Sequence, residues 1–405
     1  MSNMPTTPNF LWGAASSAHQ VEGNNTNSDW WWLENQPKSA MERSGRAVDS
    51  YHRYPEDMRL LADAGLNSYR FGLEWARIEP APGEFDRAAL AHYRRMIDTA
   101  VDLGLTPVVT LQHFTHPLWF VQEGGWLEGK GVDRFARYVE QTATILQDVP
   151  WVCTINEPNI LTLSTRMVDR FVSGQATSMT VTSENNMVLP TPDPTIGAVL
   201  AKAHAAAQDI IHTRTDARTG WTVACQALTP AAGSEARFAE VKHVWEDFYL
   251  EQSRGDDFVG VQAYTSQTVD ADGIVPHPTH PDNTLTGWAY RPDALGIAVR
   301  NAAEVTDGTP IIVTENGIAT QDDERRVRYT SEALRALFAA VDDGIDVRGY
   351  LHWSALDNYE WGHWGPTFGL IAVDRTTFTR TPKPSLGWLG KVARDGYPKD
   401  GITAA

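Results

Sequence analysis

The sequence predicts a (β/α)8 (TIM) barrel forming a single domain. Three observations carry that expectation. Eight apolar, β-branched runs alternate strictly with amphipathic stretches, the runs are almost continuously apolar, and their C-terminal ends repeatedly finish in polar or acidic residues. A strand covered on both faces reads as a continuous apolar run, which is the mark of a parallel sheet. Eight such strands alternating with helices close into a barrel whose strand ends all open on one face. The alternative, an open doubly wound sheet, usually begins on a glycine-rich phosphate turn, and no G-x-G-x-x-G or P-loop pattern occurs.

The strand candidates, in order, are FLWGAASSA (10–18), SYRFGLEW (68–75), PVVTLQHF (107–114), WVCTINEP (151–158), WTVACQ (221–226), DFVGVQAY (257–264), PIIVTENG (310–317) and RGYLHWSALD (348–357). Helical periodicity fills the intervals at 55–64, 86–103, 132–147, 194–213, 235–252, 291–305 and 324–342. No repeat, low-complexity run or long linker divides the chain. At 405 residues it exceeds most single domains, but barrels of this kind run from about 200 to more than 400 residues.

Composition excludes several partners. A formal net charge of −17 argues against nucleic acid and against an anionic membrane surface, both of which need basic patches. The opening MSNMPTTPNF has neither the basic nor the apolar part of a secretory signal, and no apolar run approaches the ~20 residues of a membrane span. Cys153 and Cys225, the only cysteines, each lie in an apolar run and read as reduced core residues of a cytoplasmic protein. Fifteen tryptophans exceed what a core needs and suggest flat apolar platforms on which sugar rings stack.

The polar strand ends are Gln20, Arg70 and Glu74, His113, Asn156 and Glu157, Tyr264, Glu315 and Asn316, and Asp357. Within this set TINEP (154–158) and TENG (314–317) have the same form, an apolar strand ending in Glu. A single strand-end Glu reads most simply as a salt bridge to a nearby Arg. Two of them, each beside Asn or Pro in tryptophan-rich surroundings, make a pair of catalytic carboxylates. Glycosidic cleavage requires such a pair, one carboxyl to protonate the leaving oxygen and one to attack or to activate water. The residues by themselves leave the reaction class open.

From about residue 9 to residue 395 the chain resembles glycoside hydrolase family 1, the β-glucosidase family. FLWGAASSAHQVEG (10–23) is similar to the family's N-terminal signature, and 51–80 to its next stretch. TINEP and TENG resemble its acid/base and nucleophile motifs, and GYLHWSALDNYEW (349–361) its last strand and sugar-binding loop. The resemblance implies a retaining, exo-acting β-glycosidase without cofactor or metal, acting on a small glycoside or oligosaccharide. It implies Glu157 as acid/base and Glu315 as nucleophile. Asn156 would sit on the sugar 2-hydroxyl, and Arg70 and Tyr264 would keep Glu315 ionised. Gln20, His113, Trp353, Glu360 and Trp361 would contact the rest of the sugar. A carboxylate at Glu360 implies an unphosphorylated sugar, and Glu157 argues against the thioglucosidases, which carry Gln there.

Several positions depart from the family pattern. HFTHP (113–117) stands where many members have His-Trp-Asp-Leu-Pro, so Phe114 drops an indole donor and His116 has no counterpart. Gln262 replaces Asn before Tyr264. GHWGPTFGL (362–370) lacks the usual Gly-Tyr pair, and 166–190 fits poorly. His363, Trp364 and Trp288 are therefore candidates for the leaving-group region. These departures keep other readings in play: a sugar-binding barrel without catalysis, transglycosylation in the same site, and a metal-dependent hydrolase using His113 and His116.

Overall fold

The computed structural model describes residues 10–172 and 189–397. Eight parallel strands close into a barrel, numbered in chain order β1 (Leu11–Ala15), β2 (Ser68–Gly72), β3 (Thr106–Thr110), β4 (Trp151–Asn156), β5 (Arg218–Ala224), β6 (Val259–Gln262), β7 (Ile311–Asn316) and β8 (Val347–Trp353). Each strand pairs with its sequence neighbours, and β1 closes the ring against β8 with Leu11 opposite Gly349 and Ala15 opposite Trp353. All eight expected strands are present. Several are shorter than their apolar runs, because the chain leaves the ladder early to build the mouth; after β1, for example, it turns at once into the helix Ala18–Val21.

Alternation along the strands divides the core. Leu11, Val108, Cys153, Ile312 and Leu351 belong to one buried cluster, and their immediate neighbours Trp12, Val109, Val152, Val313 and Tyr350 belong to another. The second cluster includes the helix residues Met58, Ile97, Val139, Leu200, Leu295 and Leu337. Successive side chains of a strand point to opposite faces, so the first set fills the barrel and the second meets the helix layer. Cys153 and Cys225 are buried and unpaired, as expected.

Three layer helices begin on an aspartate cap. Asp86 accepts from the N–H groups of Ala88 and Ala89 before Arg87–Asp102, Asp193 caps Pro194–Arg214 in the same way, and Asp322 caps Asp323–Asp342. Such a side chain satisfies N–H groups that have no partner within the helix. The helix expected at 55–64 starts earlier, as Ser50–Ala64, with Pro55 inside it. The stretch expected at 235–252 is interrupted by a π-helical turn, His243–Asp247. Of the segment 166–190, the helix Pro158–Val172 accounts for the first part, and 173–188 lie outside the described residues, as do the first nine. Among the described residues no helix is long and apolar enough to cross a membrane.

Two strands bulge where they carry the candidate carboxylates. Between β4 and β5, Cys153 pairs with Gly220 but Asn156 pairs with Thr222, so β4 has one residue more than its partner. Between β6 and β7, Val261 pairs with Val313 and Gln262 with Glu315, so β7 carries the extra residue. A bulge of this kind twists the strand and re-aims the side chains beyond it. The packing next to these bulges is tight: a Cβ on Gly260 would stand 2.4 Å from Thr222 Cγ2 and 2.9 Å from Thr314 Oγ1. Gly260→Ala is therefore expected to lower the unfolding free energy by about 1–3 kcal/mol, measured as a reduced urea midpoint at unchanged m-value.

Candidate active site

Arg70 is fully buried in the floor of the mouth, and its guanidinium organises what lies above it. Nε donates to Thr110 Oγ1 at 2.9 Å, Nη1 to Glu315 Oε1 at 2.6 Å and Nη2 to Asn156 Oδ1 at 2.5 Å. The remaining Glu315 oxygen, Oε2, accepts from Tyr264 Oη at 2.5 Å. Gln262 Nε2 adds a third donor, 3.0 Å from Oε1. Strands β2, β6 and β7, far apart in the chain, thus meet on one carboxylate, and Arg70 ties Asn156 of β4 to it.

Glu157 is held differently. Its backbone N–H donates to Thr222 O at 2.7 Å, and its φ of 44° puts a non-glycine residue in the left-handed region. Phe114 (φ 66°) and Trp361 (φ 46°) share that conformation around the mouth. Such backbone costs about 1–3 kcal/mol per residue and persists only where the surroundings enforce it. Among the described residues no side chain donates to the Glu157 carboxyl.

The two carboxyls differ in charge accordingly. Burial, and then the neighbouring charge of Glu315, push Glu157 well above the usual carboxylate range, with Arg70 only partly opposing. Burial raises Glu315 too, but Arg70, Tyr264 and Gln262 all act to lower it. Donors to the charged form favour ionisation, so Glu315 is the member of the pair that ionises first while Glu157 keeps its proton.

The other expected residues gather around this pair. His113 lies with Nε2 3.2 Å from Asn156 Nδ2, and its Nδ1 is buried without a partner. Burial, helped by Arg70, holds its pKa well below the ordinary imidazole value, so the ring is neutral. Gln20 Nε2 donates to Glu360 Oε2 at 3.1 Å, and Trp353 Nε1 to Glu360 Oε1 at 3.3 Å. Burial pushes Glu360 up to about 8. Trp361, His113 and Trp353 form a stack with centroids about 6 Å apart, 6.0 Å for the first pair and 5.9 Å for the second, and His19 extends it behind Trp361 at 5.8 Å.

Some strand-end polar residues serve the scaffold instead. Glu74 accepts from the Ala76 N–H and from Thr115 Oγ1, Asn316 ties Ala263 O to Tyr350 Oη, and Asp357 takes Lys383 Nζ and the Gly369 N–H. His116 is structural as well. Its Nδ1 lies 3.0 Å from Asp29 Oδ2, and its Nε2 accepts from Trp126 Nε1 at 2.7 Å. With both ring nitrogens engaged, His113 and His116 cannot act together as metal ligands. Phe114 stands edge-on to Trp361 at 5.0 Å and closes the apolar wall. Trp288, 36% exposed, packs 5.6 Å from the Tyr264 ring and borders the mouth. His363 forms a backbone bridge to Glu360. Trp364 has its indole N–H on Arg43 O, and Arg375 covers its ring at 3.7 Å.

Gln262 and Thr222 also belong to the site, and the strand-end pattern points to neither. Gln262 stands out in the sequence only as a departure from the family's Asn before Tyr264; Thr222 is mid-strand and reads only as a β-former.

The family model for glycosyl hydrolase family 1 matches residues 3–260 and 253–396. The chain belongs to glycosyl hydrolase family 1. Among relatives, the thermostable β-glucosidase B of Thermobispora bispora is 31% identical over 97% of this chain and 91% of its own length. Two solved structures are similar in fold. The β-glycosidase BGL167 is 41% identical with a TM-score of 0.86, covering 99% of this chain and all of its own. A β-glycosidase from Pyrococcus horikoshii is 32% identical with a TM-score of 0.86, covering 99% and 96%. As a family 1 member the chain is a retaining glycoside hydrolase of β-glucosidase type.

Asp29→Ala would strip the His116 backbone N–H and ring of their acceptor. It is expected to cost about 1–3 kcal/mol in urea unfolding.

Proposed function

We propose that this family 1 hydrolase removes a terminal, unphosphorylated β-D-glucosyl or related residue from a small glycoside or oligosaccharide, exo-fashion, with Glu315 as nucleophile and Glu157 as acid/base. The observation that carries the assignment is the unequal treatment of the two carboxyls. Glu315 receives Arg70, Tyr264 and Gln262, whereas among the described residues no side chain donates to Glu157, which burial keeps protonated.

The chemistry follows from that inequality. Glu315 attacks the anomeric carbon as the bond to the leaving oxygen breaks, and Glu157 gives that oxygen its proton. The product is a covalent glycosyl-enzyme and a free alcohol. Glu157, now ionised, takes a proton from water, whose oxygen attacks the same carbon and expels Glu315 with overall retention. Asn156, fixed by Arg70, presents its Nδ2 beside His113 for the 2-hydroxyl. Trp353 supplies the face under the ring. Glu360, Gln20, His113 and Trp361 take the remaining hydroxyls. With a pKa near 8, Glu360 holds its proton at neutral pH and can both donate and accept. Its side-chain partners are Gln20 and Trp353, neither of them a cation that would welcome a phosphate. The net charge and the two free buried cysteines support a cytoplasmic enzyme, with the chain acting as one catalytic domain.

Azide distinguishes the two roles. Glu315→Gly should abolish hydrolysis of an aryl β-glucoside and regain turnover with azide, giving the α-glycosyl azide. Glu157→Ala should lose about 100- to 10,000-fold and give the β-azide. A β-azide from the Glu315 variant would remove it from the nucleophile's role. Tyr264→Phe deletes a donor to the ionised form of Glu315, so Glu315 becomes more basic. The acid limb of kcat/KM should move to higher pH, with a loss of about 10- to 100-fold, read from a pH–rate profile.

A further inference from the structure

We propose that Gln262 is a positioning residue that locks the nucleophile Glu315 and the sugar-binding Asn156 into one unit; this rests on the assignment of Glu315 above. Four groups close a ring. Arg70 reaches Glu315 Oε1 with one arm and Asn156 Oδ1 with the other, at 2.6 and 2.5 Å. Gln262 Nε2 reaches the same two oxygens from the opposite side, at 3.0 and 2.8 Å.

The orientation of every amide in the ring follows from one fact. A guanidinium has donors and no acceptor, so Asn156 must turn Oδ1 to Arg70. That oxygen also takes Thr222 Oγ1 at 2.9 Å. Gln262 must therefore turn its NH2 to Asn156, and its second hydrogen falls on Glu315. The reverse orientation would set the Gln262 carbonyl against two acceptors. The cost of the observed one is visible: Gln262 Oε1 is buried with no partner among the described residues. The β-bulge of β7 places Gln262 opposite Glu315, within reach of the amide.

Gln262 thus acts on both catalytic functions without a charge of its own. It lowers the basicity of Glu315, and it aims Asn156 by loading Oδ1 with a third donor. Removing its donors is a change that touches both. Gln262→Met keeps the length and removes the amide. Its pH–rate profiles on an aryl β-glucoside and the matching 2-deoxyglucoside are compared with those of the parent enzyme. The acid limb of kcat/KM is expected to rise by about one pH unit, and the penalty for deleting the 2-hydroxyl to shrink by about fivefold or more. Gln262→Ala, which also lacks the donors, should give the same two signatures and serves where the Met variant unfolds. An acid limb and a 2-hydroxyl penalty equal to the parent's, in either variant with a parent-like urea midpoint, would overturn the proposal. The azide product of Glu315→Gly separates the two levels: an α-azide there with unmoved Gln262 profiles refutes Gln262 alone, whereas a β-azide refutes the nucleophile first.

Discussion

A guanidinium with no exposed surface is costly to bury unless every arm finds an acceptor, and Arg70 sits at the centre of the barrel mouth under that constraint. Its arms end on Thr110, Glu315 and Asn156, side chains of three other strands. Because Arg70 cannot lose its proton, Glu315 is drawn toward the ionised form and Asn156 toward a single amide orientation. Gln262, Tyr264 and Thr222 then take the positions left open around those two acceptors. The charge arrangement that separates Glu315 from Glu157 therefore begins in a buried residue at the floor of the site.

The walls around this floor obey a second constraint, the close packing of flat rings. Trp361, His113 and Trp353 stack in sequence and His19 backs Trp361. Three residues in this region, Phe114, Glu157 and Trp361, have left-handed backbone that packing must hold in place. The Asp29–His116–Trp126 knot secures the loop that carries His113 and Phe114. The altered HFTHP segment is thereby accounted for. Phe114 completes an apolar wall, and His116 ties the loop to the helix Asp29–Glu34, so neither departure removes the catalytic arrangement.

Much of this was legible from residues alone. The strand and helix periodicities place all eight barrel units, and the repeated polar strand ends mark the mouth. Yet that last signal does not discriminate. Glu74, Asn316 and Asp357 end strands as Glu315 does, and they cap helices and hold loops. Trp364 resembles a mouth tryptophan by position, but its N–H goes to a backbone carbonyl and Arg375 covers one ring face. Which partner a side chain finds depends on residues hundreds of positions away, and a linear pattern does not report that.

The sequence by itself determined the barrel, because apolar period and strict alternation are local properties of the chain. It also singled out the two carboxylates proposed to react, through the form of the two Glu motifs and the family they resemble. Tertiary structure alone decided their inequality: beside the bulges in β4 and β7, Glu315 lies within reach of Arg70, Tyr264 and Gln262, while among the described residues no side chain donates to Glu157. The proposed acid and nucleophile are two glutamates of identical chemistry, and the donors gathered from other strands give them different charges.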